Sequence, residues 1–225
     1  MGKTIQLTAE DGHKLDAYVA EPERAAQGAV VVVQEIFGVN RHIRAVTDDF
    51  AREGFVAIAP ALFDRVERGV ELGYDAAGRK RGMEIMSAMK IEDAMKDVAA
   101  ALQYAQSVAG ERYAGVVGYC YGGTLAWLAA TRLNPAVAVG YYGGGIAQYA
   151  NEQPRCPVML HFGAKDAHIG PEKIAKIREA HPKTPIFLYD AGHGFNCDQR
   201  QDYDAPSSEL ARKRTLEFLR ERLGK

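Results

Sequence analysis

The chain has 225 residues, of which 47% are hydrophobic and 25% are charged. This composition is typical of a globular protein that folds around its own hydrophobic core, and it excludes disordered, collagen-like and low-complexity proteins. The 28 basic residues nearly balance the 29 acidic residues, which argues against a general nucleic-acid or membrane-surface binder.

Residues 4–20 predict an antiparallel hairpin. Two runs of alternating polarity, 4–8 and 14–20, are separated by the turn dipeptide Asp11-Gly12. A continuous apolar run of Ala and Val follows at residues 29–33. Such a run is typical of a strand that is buried on both faces of a parallel sheet.

The rest of the chain alternates between short apolar runs and amphipathic stretches. Further strands are predicted at 55–59, 113–117, 136–140, 157–162 and 185–189. Helices are predicted at 41–53, 81–107, 121–132, 171–180 and 207–223, and residues 60–78 predict a long loop of the kind that is functional or mobile. The alternation predicts an α/β protein with a mostly parallel sheet of about eight strands and helices on both faces. Because the chain has no internal repeat and no linker, we expect residues 1–225 to form a single domain.

The segment Gly118-Tyr119-Cys120-Tyr121-Gly122 joins a predicted buried strand to a predicted helix. It fits the pattern G-x-nucleophile-x-G of a nucleophile elbow, with cysteine in the place of serine. The glycines permit a very sharp turn, which sets Cys120 beside the N-terminus of the helix, where the helix dipole favours a thiolate. The alternative is a buried structural cysteine, whereas the spacing does not match the nucleotide-binding pattern G-x-G-x-x-G.

A thiol nucleophile needs a base and an acidic residue that orients the base. In hydrolases with such an elbow, the chain order is nucleophile, acid, histidine. Asp166 follows the predicted strand 157–162, and His193 follows the predicted strand 185–189. Both therefore lie at the carboxyl edge of the sheet, where open α/β sheets build their sites. The alternatives are a loop acid or helix cap for Asp166 and a structural role for His193.

The three cysteines do not suggest a disulfide framework, because their number is odd and the chain is long. A reducing compartment is favoured, and with no signal-peptide pattern a cytoplasmic location is expected. Several potential metal ligands occur in the last third of the chain, namely Cys156, His161, Asp166, His168, His193 and Cys197. None of them forms a C-x-x-C or H-E-x-x-H pattern, so no metal site is expected.

Four motifs stand out, at residues 34–40 (QEIFGVN), 118–123 (GYCYGG), 140–143 (GYYG) and 191–195 (AGHGF). Together they resemble the dienelactone hydrolases, or carboxymethylenebutenolidases, of the α/β-hydrolase superfamily. The resemblance spans nearly the whole chain. It implies the α/β-hydrolase fold and a catalytic triad of Cys120, His193 and Asp166.

The resemblance also implies a role for Glu35. In the family this glutamate contacts the resting thiol and takes its proton when a substrate enters. The backbone N–H groups of Ile36 and Tyr121 would then form the oxyanion hole. The alternative, a surface charge, is disfavoured because Glu35 follows four consecutive valines and Gln34.

By resemblance, the substrate is a small unsaturated lactone with a carboxylate that two arginines hold. The position of the first arginine matches Arg79, and Arg81 is close to it. The second falls four residues after the histidine, where this chain has Cys197, and Arg200 is a candidate replacement. An anion site with one arginine missing would bind more weakly.

The pocket wall also departs from the family. Met83 and Met86 stand where aromatic residues are expected, and methionine side chains suggest a more adaptable pocket.

The predicted function is therefore a cofactor-free thiol hydrolase that opens a dienelactone-type enol lactone through an acyl-enzyme. One alternative is a broad carboxylesterase or other lactonase. A second is a non-catalytic ligand-binding or redox-sensing protein of the same fold. The expected partner is a small lactone or ester, with no nucleic acid and no membrane, and the expected state is a monomer or weak homodimer.

Overall fold

The computed structural model describes residues 2–109 and 113–224, and within them eight strands form one sheet. The strands are β1 (Lys3–Thr8), β2 (Lys14–Ala20), β3 (Gly28–Val33), β4 (Phe55–Pro60), β5 (Ala114–Tyr119), β6 (Val137–Tyr141), β7 (Val158–Gly163) and β8 (Ile186–Tyr189). Their order across the sheet is β1-β2-β4-β3-β5-β6-β7-β8. The first two strands pair antiparallel, as predicted, and all pairs from β4 to β8 are parallel.

Six helices flank the sheet in the described part of the chain. They are α1 (Arg41–Arg52), α2 (Ala76–Ala88), α3 (Ile91–Ala109), α4 (Tyr121–Arg132), α5 (Pro171–Ala180) and α6 (Ala205–Leu223). Helices α3 and α4 pack together on one face. On the other face, Arg212 and Arg220 of α6 pair with Glu53, directly after α1. None of the described helices is both long and apolar enough to span a bilayer.

The central strands β3 and β5 are buried along their whole length, because helices cover both faces of the sheet. Their register pairs Val33 of β3 with Gly118 of β5, and Gly118 with Gly140 of β6. The carboxyl ends of three parallel strands therefore meet side by side. The turns that follow these strands come together at the middle of the same sheet edge.

The prediction of a single helix at 81–107 is wrong, because this stretch is divided between α2 and α3. The backbone is extended at Met89, between the two helices. Helix α3 buries its apolar face in the main core, whereas α2 buries Ile85 in a smaller cluster above the sheet edge, so one straight helix cannot serve both. The segment 60–78, predicted as a loop, is also partly helical. It contains a 3₁₀ turn at Leu62–Arg65 and the beginning of α2, where the Asp75 side chain accepts the Gly78 N–H as a helix cap.

Candidate active site

Cys120 lies in the turn between β5 and α4 with a left-handed backbone conformation, φ 53° and ψ −112°. This conformation is unfavourable for any residue except glycine, so the surroundings must hold it. The Cys120 N–H donates to the carbonyl of Tyr141 at 3.0 Å, and the Gly122 N–H donates to the carbonyl of Gln34 at 3.0 Å. A Cβ on Gly118 would overlap the carbonyl oxygen of Gly122. A Cβ on Gly122 would likewise overlap the carbonyl oxygens of Val33 and Gln34. Gly118 and Gly122 thus have the steric role that the pattern predicts.

The side chains of Cys120, His193 and Asp166 form a continuous chain of contacts. His193 Nε2 lies 3.1 Å from the Cys120 sulfur, and His193 Nδ1 lies 2.7 Å from Asp166 Oδ2. The other carboxylate oxygen of Asp166 accepts the backbone N–H groups of His168 at 2.8 Å and Ile169 at 3.2 Å. The carboxylate is therefore held on both sides, and it in turn holds the imidazole in one orientation.

The electrostatics of this chain of contacts favour proton transfer from sulfur to imidazole. Burial by itself lowers the pKa of His193, but the hydrogen bonds with Asp166 and Cys120 outweigh burial and raise the pKa to about 10. Burial by itself raises the pKa of Asp166. The hydrogen bond with His193 is the main reason that this pKa is nevertheless lowered. Asp166 is thus a carboxylate, and His193 can hold a proton next to a thiolate.

Glu35 lies two residues after β3, and its side chain is fully buried. Its Oε2 accepts a hydrogen bond from the Tyr74 hydroxyl at 3.0 Å, and its Oε1 lies 3.4 Å from Arg200 Nη1. The surface-charge alternative is therefore wrong. The resemblance implies a contact between Glu35 and the resting thiol, and the structure differs from this. In the described residues Glu35 bonds to Tyr74 and Arg200, whereas the Cys120 thiol bonds to His193.

Gln34 is a buried positioning residue that the sequence analysis did not identify. Its Nε2 donates to the Glu35 carbonyl at 3.2 Å, and its Oε1 accepts the Leu62 N–H at 3.1 Å. Its own carbonyl accepts the N–H of Gly122. The turn that carries Glu35 is thereby tied to the elbow that carries Cys120. The signal in the sequence was a polar residue at the end of a fully apolar strand.

The cavity above Cys120 has a volume of about 570 Å³, which suits a small organic molecule. Its apolar wall consists of Ile36, Phe37, Met83, Met86, Ile91, Tyr121 and Tyr149. Its cationic and ionisable groups are Arg79, Arg200, Lys173 and His168, in addition to His193. The lining therefore combines apolar side chains with the cationic side chains of Arg79, Lys173 and Arg200.

The structure separates the two neighbouring arginine candidates. Arg79 lines the cavity. Arg81 does not line it, because its guanidinium pairs with Glu67 and with Glu84, the latter at 3.2 Å. Arg200, which the sequence analysis left as a candidate replacement, reaches the cavity with a side chain that is only 9% exposed. It lies in the loop before α6, where no periodic pattern could have indicated its direction.

Cys197, at the position of the expected second arginine, is fully buried near Glu35. One donor atom from each of Glu35, His42 and Cys197 lies within 4.8 Å of the other two. These residues come from three separate segments of the chain. Their separation along the chain matches no metal-ligand motif, so spacing in the sequence did not bring them together.

The sequence model of the dienelactone hydrolase family matches residues 15–223. A carboxymethylenebutenolidase from Pseudomonas putida is 33% identical over 96% of this chain and 94% of that protein. A Synechocystis protein assigned as a carboxymethylenebutenolidase is 33% identical over 98% of both chains. A solved structure from Klebsiella pneumoniae, assigned as a dienelactone hydrolase, superposes with a TM-score of 0.83 and 29% identity, covering 96% of this chain and 98% of that chain. The expected α/β-hydrolase fold is confirmed.

Proposed function

This chain belongs to the dienelactone hydrolase family and is a hydrolase of a small molecule, and we propose that its substrate is an enol lactone that carries a carboxylate. The observation that carries the proposal is the unbroken set of contacts from Cys120 through His193 to Asp166, of which Cys120 and His193 line the cavity. The names of the relatives support the substrate class. Arg79 and Arg200 on the cavity wall support its negative charge.

The proposed reaction begins with attack of the Cys120 thiolate on the lactone carbonyl carbon. The ring C–O bond breaks, the enol oxygen leaves as part of the same molecule, and a thioester forms. The oxyanion is held by the N–H groups of Ile36 and Tyr121. Tyr121 is the first residue of α4, so its N–H has no partner within the helix. His193 gives the proton that it took from the thiol to the leaving enol oxygen. It then takes a proton from water, and the resulting hydroxide attacks the thioester carbonyl. The C–S bond breaks, the open acid leaves, and the Cys120 thiolate is restored next to protonated His193, while Asp166 orients the imidazole.

Arg200 supplies the second cation in this proposal, in place of the arginine that is missing at Cys197. A substrate carboxylate that pairs with Arg200 competes for it with Glu35, which lies 3.4 Å away. Glu35 then keeps its hydrogen bond from the Tyr74 hydroxyl at 3.0 Å. The thiol proton goes to His193 Nε2, which lies 3.1 Å from the Cys120 sulfur.

The deciding experiment is a substrate panel on the wild type and on Cys120→Ala. The panel contains cis- and trans-dienelactone, a lactone without a carboxylate, and p-nitrophenyl acetate. We expect turnover of the dienelactones to fall by more than about 10³-fold in Cys120→Ala, because no other cysteine is among the described residues that line the cavity. Cys156→Ala is the matched control, since Cys156 is a half-buried cysteine outside the cavity. Undiminished turnover in Cys120→Ala would overturn the proposed nucleophile.

A carboxylesterase with broad specificity is the second candidate, and the apolar cavity wall with Met83 and Met86 favours it. It predicts that the neutral ester and the lactone without a carboxylate are turned over as fast as the dienelactones. A preference of tenfold or more for the carboxylate-bearing lactones rejects this candidate. Protection of Cys120 from alkylation by a lactone that is never released as product would instead favour the non-catalytic alternative.

A further inference from the structure

His42 lies on α1 with a ring that is almost entirely buried, its side chain being 4% exposed. Its Nδ1 lies 3.1 Å from a carboxylate oxygen of Asp198, whereas its Nε2 is buried and has no hydrogen-bond partner among the described residues. An unpaired buried ring nitrogen is unfavourable and calls for an explanation, which in native proteins is often an ion or a water. Nε2 is therefore the nitrogen that remains available to a ligand.

The groups around His42 are the donors that zinc prefers. The Glu35 carboxylate and the Cys197 thiol are both fully buried, and one donor atom of each lies within 4.8 Å of the other and of a His42 ring nitrogen. Zinc sites are built from thiolate, imidazole and carboxylate groups with bonds of about 2.0–2.3 Å, which sets the donor atoms about 3.5 Å apart. The donor atoms would therefore have to approach one another by at most about 1.3 Å (4.8 Å less about 3.5 Å) on binding.

The outer contacts of this cluster also follow the pattern of a metal site. A histidine that binds a metal through one nitrogen almost always donates its other ring N–H to a carboxylate or carbonyl, and Asp198 is in that position for His42. A carboxylate ligand is in turn hydrogen-bonded, as Glu35 is by the Tyr74 hydroxyl. Neither contact is needed to explain the triad.

Two features oppose a cation in this position. Burial, followed by the nearby Glu35, raises the pKa of the Cys197 thiol to about 12, and the Arg200 guanidinium carries a positive charge next to Glu35. Binding would therefore form a metal–sulfur bond and release the thiol proton to solvent. Arg200 would keep a partner in Asp202, whose carboxylate is already 3.7 Å from Nη2.

We infer that Glu35, His42 and Cys197 form a buried binding site for a divalent cation of the zinc type. A cation there draws Glu35 away from Arg200 and so leaves Arg200 free for a substrate carboxylate. This effect on the substrate rests on the proposed function, whereas the binding does not. The inference differs from the expectation from sequence that the chain has no metal site, and the experiment below decides between the two.

The test uses Co²⁺ as a coloured substitute for zinc and Cys120→Ala as the starting protein. The Cys120→Ala change removes the thiol of the Cys120–His193 pair, which could itself bind a metal. We expect one Co²⁺ per chain with a sulfur-to-cobalt charge-transfer band in the near ultraviolet. The band should disappear in Cys120→Ala/Cys197→Ala and persist in the matched control Cys120→Ala/Cys156→Ala. Absence of the band in Cys120→Ala, or its persistence without Cys197, would overturn the site.

Two further variants guard against loss of binding through misfolding. Asp198→Asn changes an exposed side chain, and we expect it to weaken Co²⁺ binding about 10- to 100-fold by removing the carboxylate behind His42. Arg200→Gln should strengthen binding, because it removes the opposing charge. No change in Asp198→Asn together with weaker binding in Arg200→Gln would contradict the assignment. A protein that binds Co²⁺ through Cys197 but hydrolyses no lactone would keep the site and reject the proposed function.

Discussion

The triad and the cluster of Glu35, His42 and Cys197 are neighbours, but different parts of the fold hold them in place. The triad residues follow the ends of β5, β7 and β8, and the hydrogen bonds between them and to backbone amides hold the imidazole and carboxylate in place. The cluster comes from the turn after β3, from α1 and from a loop. One of its atoms, His42 Nε2, has no hydrogen-bond partner in the part of the chain that the structure describes. Substitutions in the cluster should therefore change binding before they change the bond-breaking chemistry.

The largest expected effect is on the triad side of this comparison. His193→Ala should lower kcat for the lactone by at least about 10⁴-fold, because it removes both the base for Cys120 and the activator of water. The matched control is His168→Ala, since the His168 ring lies 5.3 Å from that of His193 but has no hydrogen bond to Cys120 in the described residues. Steady-state kinetics that show equal losses in both variants would contradict the assigned base.

The next effect concerns the backbone that holds the triad. A Cβ at Gly122 would overlap the carbonyl oxygens of Val33 and Gln34, so Gly122→Ala should lower the free energy of unfolding by about 3 kcal/mol. Gly73→Ala is the control, since no atom lies within 4 Å of its added Cβ. Urea unfolding measures both. Equal stability of the two variants would show that the elbow does not depend on close packing there.

Arg200 lies next to the cluster, where it pairs with Glu35. Arg200→Gln should lower kcat/KM for a carboxylate-bearing lactone about 10- to 100-fold, since a hydrogen bond to a charged group contributes about 1.5–3 kcal/mol. The kcat/KM for p-nitrophenyl acetate should change much less. Arg81→Gln provides the control, because Arg81 pairs with Glu67 and Glu84 away from the cavity. Equal losses on the charged and neutral substrates would mean that Arg200 supports the structure and does not bind the substrate carboxylate.

The smallest effect measures how far the triad acts as one unit. Since Cys120 contributes to the raised pKa of His193, Cys120→Ala should move that pKa from about 10 toward its ordinary value of 6.5. A proton held with a raised pKa stabilises the folded state fully below pH 6.5, and this stabilisation is lost as the pH rises through about 10. Nuclear magnetic resonance titration of the His193 ring reports the shift, with Cys156→Ala as control. An unchanged titration would mean that Asp166 alone raises the pKa.

Several sequence-based expectations stay predictions. They are the single domain over residues 1–225, the cytoplasmic location and the monomer or weak homodimer. The catalytic roles of Cys120, Asp166 and His193 also await the kinetic experiments, although the structure brings the three side chains into contact.

The segment from α2 to α3 shows where prediction from sequence failed. The apolar spacing from Met95 to Ala105 correctly predicted the buried face of α3. It could not show that α2 is a separate helix, because Ile85 is buried in a smaller cluster that forms only when α2 reaches the turn after β3. Both Arg79 and Arg81 lie on α2, and the packing of this helix decides that Arg79 lines the cavity whereas Arg81 does not.

The sequence by itself determined the strand order of the hairpin, the parallel α/β architecture, the elbow at Cys120 and the chain order of its partners. These features depend on local sterics and on hydrophobic periodicity, both of which act between near neighbours in the chain. Only the tertiary structure decided that Arg200 pairs with Glu35, that Gln34 ties two turns together, and that His42 meets Cys197. Such contacts join loops and helices that are distant in sequence, so they depend on distances that the packed fold alone sets.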